Sequence, residues 1–203
     1  MLWDPIQDAR GLRVRQRGRT ALDIADTAMD LFETHGYDAT SLEEIAATAK
    51  VSVSTLHRYH ATKDSLLLDH PRLQPRALAT AFLARDRDQP LGHAVSDAAL
   101  DFLGSADAGR PFLRRLRDCV DTVPSASARL WTYWQHETTA LRAAIGTRTV
   151  TRQDELLADL LTGHALTIAI AALAEARQDQ QQSARAIGAD LLGVLRSSVR
   201  EMG

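Results

Sequence analysis

The stretch TSLEEIAATAKVSVSTLHRYHATKDSL, residues 40–66, decides how the rest of the chain is read. It holds two short helical patterns around a tight turn. Ser41 and Glu44 form the Ser-x-x-Glu pattern of a capping box, ahead of Ile45, Ala46 and Ala49. Lys50 and Val51 break the period, Ser52 is a second N-cap, and Val53 to Tyr59 makes about two helical turns. Helices over 41–49 and 52–59 predict a helix-turn-helix. Ala46 is the small residue such a crossing needs, and Ile45, Ala49, Val51, Leu56 and Tyr59 supply the shared core. The second helix would offer its N-terminal end and one face to a major groove, exposing Val53, Ser54, Thr55, His57 and Arg58. Arg58 is suited to guanine or phosphate. Lys63 opens the next helix, through Leu66, Leu67 and Leu68, and adds a phosphate contact at that helix's positive end.

Helical periodicity continues in both directions. Upstream, a helix is expected from Thr20 to His35. Leu22, Ala25, Ala28, Met29 and Phe32 form its apolar stripe, Ile24 and Leu31 widen it, Thr20 caps it and Gly36 ends it. Residues 1–18 read as a basic arm, with Arg13, Arg15, Arg17 and Arg19 placed to reach the DNA backbone or minor groove. Downstream, helices are expected at about 91–103, 111–121, 126–145, 152–176 and 183–201. Linkers are expected at Gly104–Pro111 and Thr122–Ser125. Strand alternation and Asn-Gly or Asp-Gly turns are missing, so the fold class is all-α.

Charge is distributed unevenly. The net charge of the 203 residues is −2, which excludes a binder held by bulk positive charge. Residues 1–19 hold five arginines against two aspartates, a net +3. Residues 20–49 hold seven acids and no Lys or Arg, a net −7, and residues 50–63 hold Lys50, Arg58 and Lys63 with no acid, a net +3. Two basic islands therefore bracket an acidic stretch, as a localised reader of phosphate requires. Only Lys50 and Lys63 are lysines, and the bias to arginine and alanine is one that a GC-rich genome produces.

Other classes lack their residues. Cys119 is the only cysteine, so a disulfide framework and a cysteine-rich zinc site are ruled out. The start Met1-Leu2-Trp3-Asp4-Pro5 does not read as a signal peptide, and no long unbroken apolar run suggests a bilayer span, so a cytoplasmic protein is expected. His-Glu-x-x-His, Glu-x-x-His, a phosphate-binding glycine loop and Gly-x-Ser-x-Gly are absent, so no catalytic residue, cofactor or metal is expected. His57 and His60 share a helix face at a spacing that suits a metal, but they lie inside the reading helix.

At these spacings the residues resemble the N-terminal domain of TetR-family transcriptional regulators. The resemblance runs over Arg19 to Leu66. It is carried by Ala28, Leu31-Phe32, Gly36-Tyr37, Ala39-Thr40-Ser41-Leu42-Glu43-Glu44-Ile45-Ala46, Val51-Ser52, Thr55-Leu56, Arg58-Tyr59, Lys63-Asp64 and Leu66. Gly11-Leu12-Arg13 with Arg58-Tyr59 also resembles a subgroup whose C-terminal part is an acyl-CoA-like ligand-binding domain. The resemblance implies a helix-turn-helix domain over 19–66 and a helical effector-binding and dimerisation domain over 67–203. It implies a homodimer joined through the last two helices, a repressor of a palindromic operator, and release by a small-molecule effector that is acyl-CoA-like or apolar. The DNA-binding set it implies is Ser41, Ser52, Val53, Ser54, Thr55, His57, Arg58, Tyr59 and Lys63, with the arginines of the arm.

Three positions depart from the family pattern. Lys50 stands where glycine is usual, His57 where an aromatic is frequent, and His60 where phenylalanine is frequent. The effector pocket is expected among Phe102, Phe112, Leu116, Trp131 and Trp134, with Tyr133, Gln135 and His136 as polar lining. Aromatics at helical spacing also serve as plain core. Two other functions fit the composition: a protein-interaction module that keeps the helix-turn-helix shape, and a metal-binding or enzymatic helical bundle.

Overall fold

Short polar residues set the helix starts of the N-terminal half, as the Ser and Thr pattern predicts. The computed structural model describes the backbone of residues 5–73, 76–179 and 181–201, with side chains except those of 5–14, 124–127, 129 and 199. Its described residues are all-α. Helix α1 spans Pro5–His35, α2 Leu42–Thr48, α3 Val53–Tyr59 and α4 Lys63–Leu68. Helix α5 spans Ala77–Leu83, α6 Leu91–Ala108, α7 Arg110–Asp121, α8 Pro124–Gly146, α9 Arg152–Gln178 and α10 Ala184–Glu201.

The helices form two units. The first comprises Met1–Gln74 and Arg115–Leu130, the second Pro75–Arg114 and Trp131–Gly203. Part of α7 and part of α8 belong to the first unit. In the first unit, α1 buries Ile24, Ala25, Ala28, Met29 and Phe32, and Ile45, Ala46, Leu56, Leu66 and Leu67 are buried with them. Ile24 lies at the centre of this stripe rather than at its edge.

In the second unit, Leu78, Phe82, Ala94, Val95, Ala98, Leu141, Ile145, Ala158 and Ala165 make one core cluster. Leu103, Ile168, Ala172, Ile187 and Leu192 make another. Alanines recur at buried positions of α6 and α9, where a small side chain lets helices approach closely. Gly188 of α10 has the same use, since a Cβ there would run into the buried side chain of Leu103.

Three expectations need correction. Helix α1 does not begin at Thr20. It already runs from Pro5, and the Thr20 hydroxyl donates to the Gln16 carbonyl at 3.0 Å, a bond made inside a helix. Residues 104–111 are not a linker, because α6 continues to Ala108 and Pro111 sits in the first turn of α7, where no amide donor is needed. Finally, α9 is long and apolar enough to cross a membrane although no unbroken run suggests it. Its buried Ala158, Ala165, Leu166, Ile168, Ala169 and Ala172 belong to the core of the second unit.

Candidate nucleic-acid interface

The turn of the helix-turn-helix is closed by backbone hydrogen bonds. The Val51 amide donates to the Ala46 carbonyl at 2.9 Å and the Lys50 amide to that of Ala47 at 3.1 Å. This paired pattern ends a helix on a left-handed residue. Lys50 is that residue, with φ 57°, so it occupies the conformation for which glycine is the usual choice. Ser52 then restarts the chain as a helix, its Oγ accepting from the Thr55 amide at 3.1 Å. Ser41 caps α2 by accepting from the Glu44 amide at 3.0 Å. The second half of the expected capping box is missing there, because the Glu44 carboxylate turns to His35 Nδ1 at 2.9 Å.

The expected surface residues are accessible. Ser41, Ser52, Ser54, His57 and Arg58 are exposed, and Val53, Thr55, Tyr59 and Lys63 are half-buried. Ser52 and Thr55 join their hydroxyls at 2.9 Å, so part of their hydrogen-bonding capacity is already committed. Arg15, Arg17 and Arg19 lie exposed on α1, and the Arg13 side chain is outside the described residues. Arg17 and Arg58 both lie against the Tyr59 ring, their guanidinium carbons 5.8 and 5.4 Å from its centroid. A depression beside them is lined by Gln16, Arg17, Thr20, Arg58 and Tyr59. Lys63 Nζ sits 4.3 Å from the Tyr37 ring centroid, and the Tyr37 hydroxyl donates to Asp64. The Tyr37 platform was visible in the sequence only as half of a Gly-Tyr pair.

The acids of α1 are partly neutralised within the first unit. Arg115 pairs with Asp30 at 2.5 Å and Glu33 at 2.6 Å, and Arg72 pairs with Asp26 at 2.8 Å. His60 fills the position of a frequent phenylalanine as a buried ring. Its Nδ1 lies 3.3 Å from the Ser65 carbonyl and its Nε2 3.5 Å from that of Ala21. His70 is buried beside it. The Arg72 amide donates to His70 Nδ1 at 3.2 Å, which leaves the proton on Nε2, facing Asp26 at 3.3 Å. Burial lowers the His70 pKa to about 4 against the opposing pull of Asp26, and Arg72 and His60 add to the lowering.

Of the six residues expected around an effector, Leu116 belongs to the first unit and the other five to the second. Phe102 and Trp134 meet edge to face at 6.2 Å in the second unit, and Tyr133 packs on Trp134 at 5.5 Å. Trp131 is 65% exposed and Gln135 is also exposed. Phe112 is buried in the second unit's part of α7, whereas Leu116 is buried in the first unit's part. An apolar depression in the second unit lies instead along α9, lined by Leu156, Asp159, Leu160, Gly163, His164 and Thr167.

Comparison with known proteins agrees with this geometry. Residues 24–69 match the model of the bacterial regulatory proteins of the tetR family. The chain is 38% identical over 52 residues to the transcriptional regulator MftR of Mycobacterium tuberculosis, an alignment covering 26% of each chain. It is 32% identical over 108 residues to the HTH-type transcriptional regulator TcmR of Streptomyces glaucescens, covering 53% of this chain and 43% of that one. The chain thus spans less than half the length of either curated relative. A TetR-family regulator from Streptomyces coelicolor A3 superposes with a TM-score of 0.54 and 25% identity, over 89% of this chain and 96% of that one. NalD of Pseudomonas aeruginosa, described as the secondary repressor of the MexAB-OprM multidrug efflux pump, superposes with a TM-score of 0.59 over 88% of this chain and 94% of its own, at 19% identity. That last likeness is one of fold. Residues 24–69 thus resemble the N-terminal domain of the tetR family of bacterial regulatory proteins, and the described helices share the all-α architecture of a solved TetR-family regulator.

Proposed function

We propose that the chain is a homodimeric, effector-responsive repressor, and that it reads a palindromic operator through α3. The observation that carries this is the exposed polar and basic edge of α3, with Ser54, His57 and Arg58, beside Arg17 of α1. Arg58 reaches a base edge or phosphate, and Ser41, Ser52, Val53, Thr55, Tyr59 and Lys63 complete the contact. Arg13, Arg15, Arg17 and Arg19 extend it along the backbone. A reader this small gains affinity by pairing, because two half-sites about 34 Å apart match the two-fold axis of a dimer. The protein acts where its DNA is, in the cytoplasm.

The dimer face we assign is that of α9 and α10. Leu156, Leu160 and Val194 are 58%, 62% and 65% exposed there, and Leu157, Ile170 and Leu191 add to the apolar surface. A second copy covers such a surface by the isologous packing that closed dimers use. The effector is acyl-CoA-like or apolar and binds in the second unit. A coupling of about 1–3 kcal/mol between ligand and DNA gives a useful response.

The deciding experiment measures binding to duplex DNA from the region upstream of the protein's own coding sequence, across a salt series. Arg58→Ala and Lys63→Ala are each expected to weaken binding to duplex DNA. Binding that neither variant changes defeats the site assignment. Sedimentation of the chain and of Leu160→Glu checks the dimer face. A thermal-shift screen with acyl-CoA thioesters and aromatic amphiphiles checks the effector class, since a ligand of the native state raises its melting temperature.

A further inference from the structure

We propose that Arg17 and Arg58 form a two-arginine clamp for a single backbone phosphate, with the ring of Tyr59 as the residue that positions both. The proposal rests on the DNA-reading function above and adds a positioning role to the contact that Tyr59 makes there. Arg17 and Arg58 come from different helices and are far apart in sequence, yet their guanidinium carbons lie 5.8 and 5.4 Å from one ring centroid. A cation over an aromatic face is held by the ring quadrupole, and arginine is well suited because its guanidinium is planar. Gathering two like charges on one ring is unfavourable by itself. It becomes favourable when an anion sits between them.

The surroundings supply no such anion. Among the described residues, neither arginine is ion-paired with a carboxylate, in contrast to Arg72 and Arg115 of the same unit. Both are exposed, and with Gln16 and Thr20 they line the depression next to the Tyr59 ring. Arg17 also lies on helix α1, which fixes its backbone relative to α3 and avoids the ordering entropy of a free arm. A phosphate has several oxygens in different directions, and a guanidinium fork binds two of them at once. A single phosphate can therefore accept from both arginines.

The test is a double-mutant cycle on DNA affinity, using a fluorescent duplex enriched from a random-sequence library by the unmodified chain. Binding is measured from about 50 to 200 mM salt, where each phosphate contact contributes about 0.9 to the slope of log affinity against log salt. Arg17→Ala is expected to weaken affinity severalfold while Arg58 keeps the shared phosphate neutralised, and removing both arginines to make the slope shallower by about one contact. Tyr59→Phe, which keeps the ring face, should retain the original affinity, and Tyr59→Leu should lose as much as Arg17→Ala. Arg17→Ala added to Tyr59→Leu should then cost less than twofold more. Equal losses from Arg17→Ala with and without the ring overturn the clamp, as does a Tyr59→Phe variant that behaves like Tyr59→Leu. If Tyr59→Leu melts early, the exposed Arg17→Ala variant decides alone, and an unchanged affinity overturns the clamp. An unmodified chain that enriches no duplex overturns the repressor reading itself, a result distinct from any difference among variants.

Discussion

The two units differ in how they satisfy bare helix ends. In the first, every short helix after α1 is capped by the residue directly before it: Ser41 for α2, Ser52 for α3 and Thr62 for α4. In the second, two helices take a cap from a distant residue: α5, which has no local one, and α10, where it adds to the local cap of Ser183. Helix α5 follows Arg76, a left-handed residue with no side-chain cap. The fully buried Glu137 of α8 accepts from the Ala77 and Leu78 amides there, each at 3.2 Å. At the start of α10 the Ser183 Oγ accepts from the Ala186 amide at 3.0 Å, and Asp107 of α6 accepts from the amides of Ala184 at 2.8 Å and Arg185 at 3.0 Å. Local caps let short helices form without waiting for distant packing. Borrowed caps tie one helix to another, so they stabilise an arrangement of helices as well as a helix end.

The most direct way to break this contrast is Glu137→Ala. It leaves the buried Leu78 amide and the half-buried Ala77 amide without their acceptor, and a loss of roughly 3 kcal/mol in urea unfolding is expected. A loss no greater than that of a local cap would mean that the distant carboxylate is dispensable.

Acid tests the first unit next, through a buried base rather than a cap. Above pH 6.5 His70 is neutral in both the folded and unfolded chain, and its contribution is whole. Between 6.5 and about 4 the unfolded chain binds a proton that the folded chain resists, so stability falls as the pH drops. The loss approaches roughly 3 kcal/mol below the folded pKa. Melting temperature against pH should show a steeper decline over this window in the unmodified protein than in His70→Gln.

A smaller effect is expected from Ser52→Ala, about 1 kcal/mol, because water can reach the exposed amides it leaves behind. Chemical unfolding of Ser52→Ala beside Glu137→Ala therefore measures the local cap against the borrowed one. The smallest change has the opposite sign. Lys50→Gly relieves a left-handed lysine and is expected to raise stability by about 0.5–1 kcal/mol, with the turn hydrogen bonds unchanged. A decrease would show that the lysine side chain compensates for its own backbone.

The same contrast separates what could be read from residues alone. Ser41, Ser52, the break at Lys50 and Val51, and the buried faces of α1 and α3 were legible because each depends on neighbours within a turn or two. The start of α1 was not, because Thr20 satisfies the pattern of an N-cap and bonds backward to Gln16 inside the helix. The burial of the aromatic residues was not legible either. Trp131 and Trp134 are close in sequence on one helix, yet one is largely exposed and the other packs on Phe102.

The amino-acid sequence by itself determined the helical class, the helix-turn-helix, its local caps and the two basic islands around it, since periodicity, capping and charge are properties of short stretches. Tertiary structure alone decided that Glu137 caps α5, that Asp107 caps α10, that His70 is buried against Asp26, and that Arg17 and Arg58 meet on Tyr59. Each of these joins residues that lie on different helices, or beyond the end of one. Their energies exist only once those helices have docked, so no local pattern in the chain encodes them.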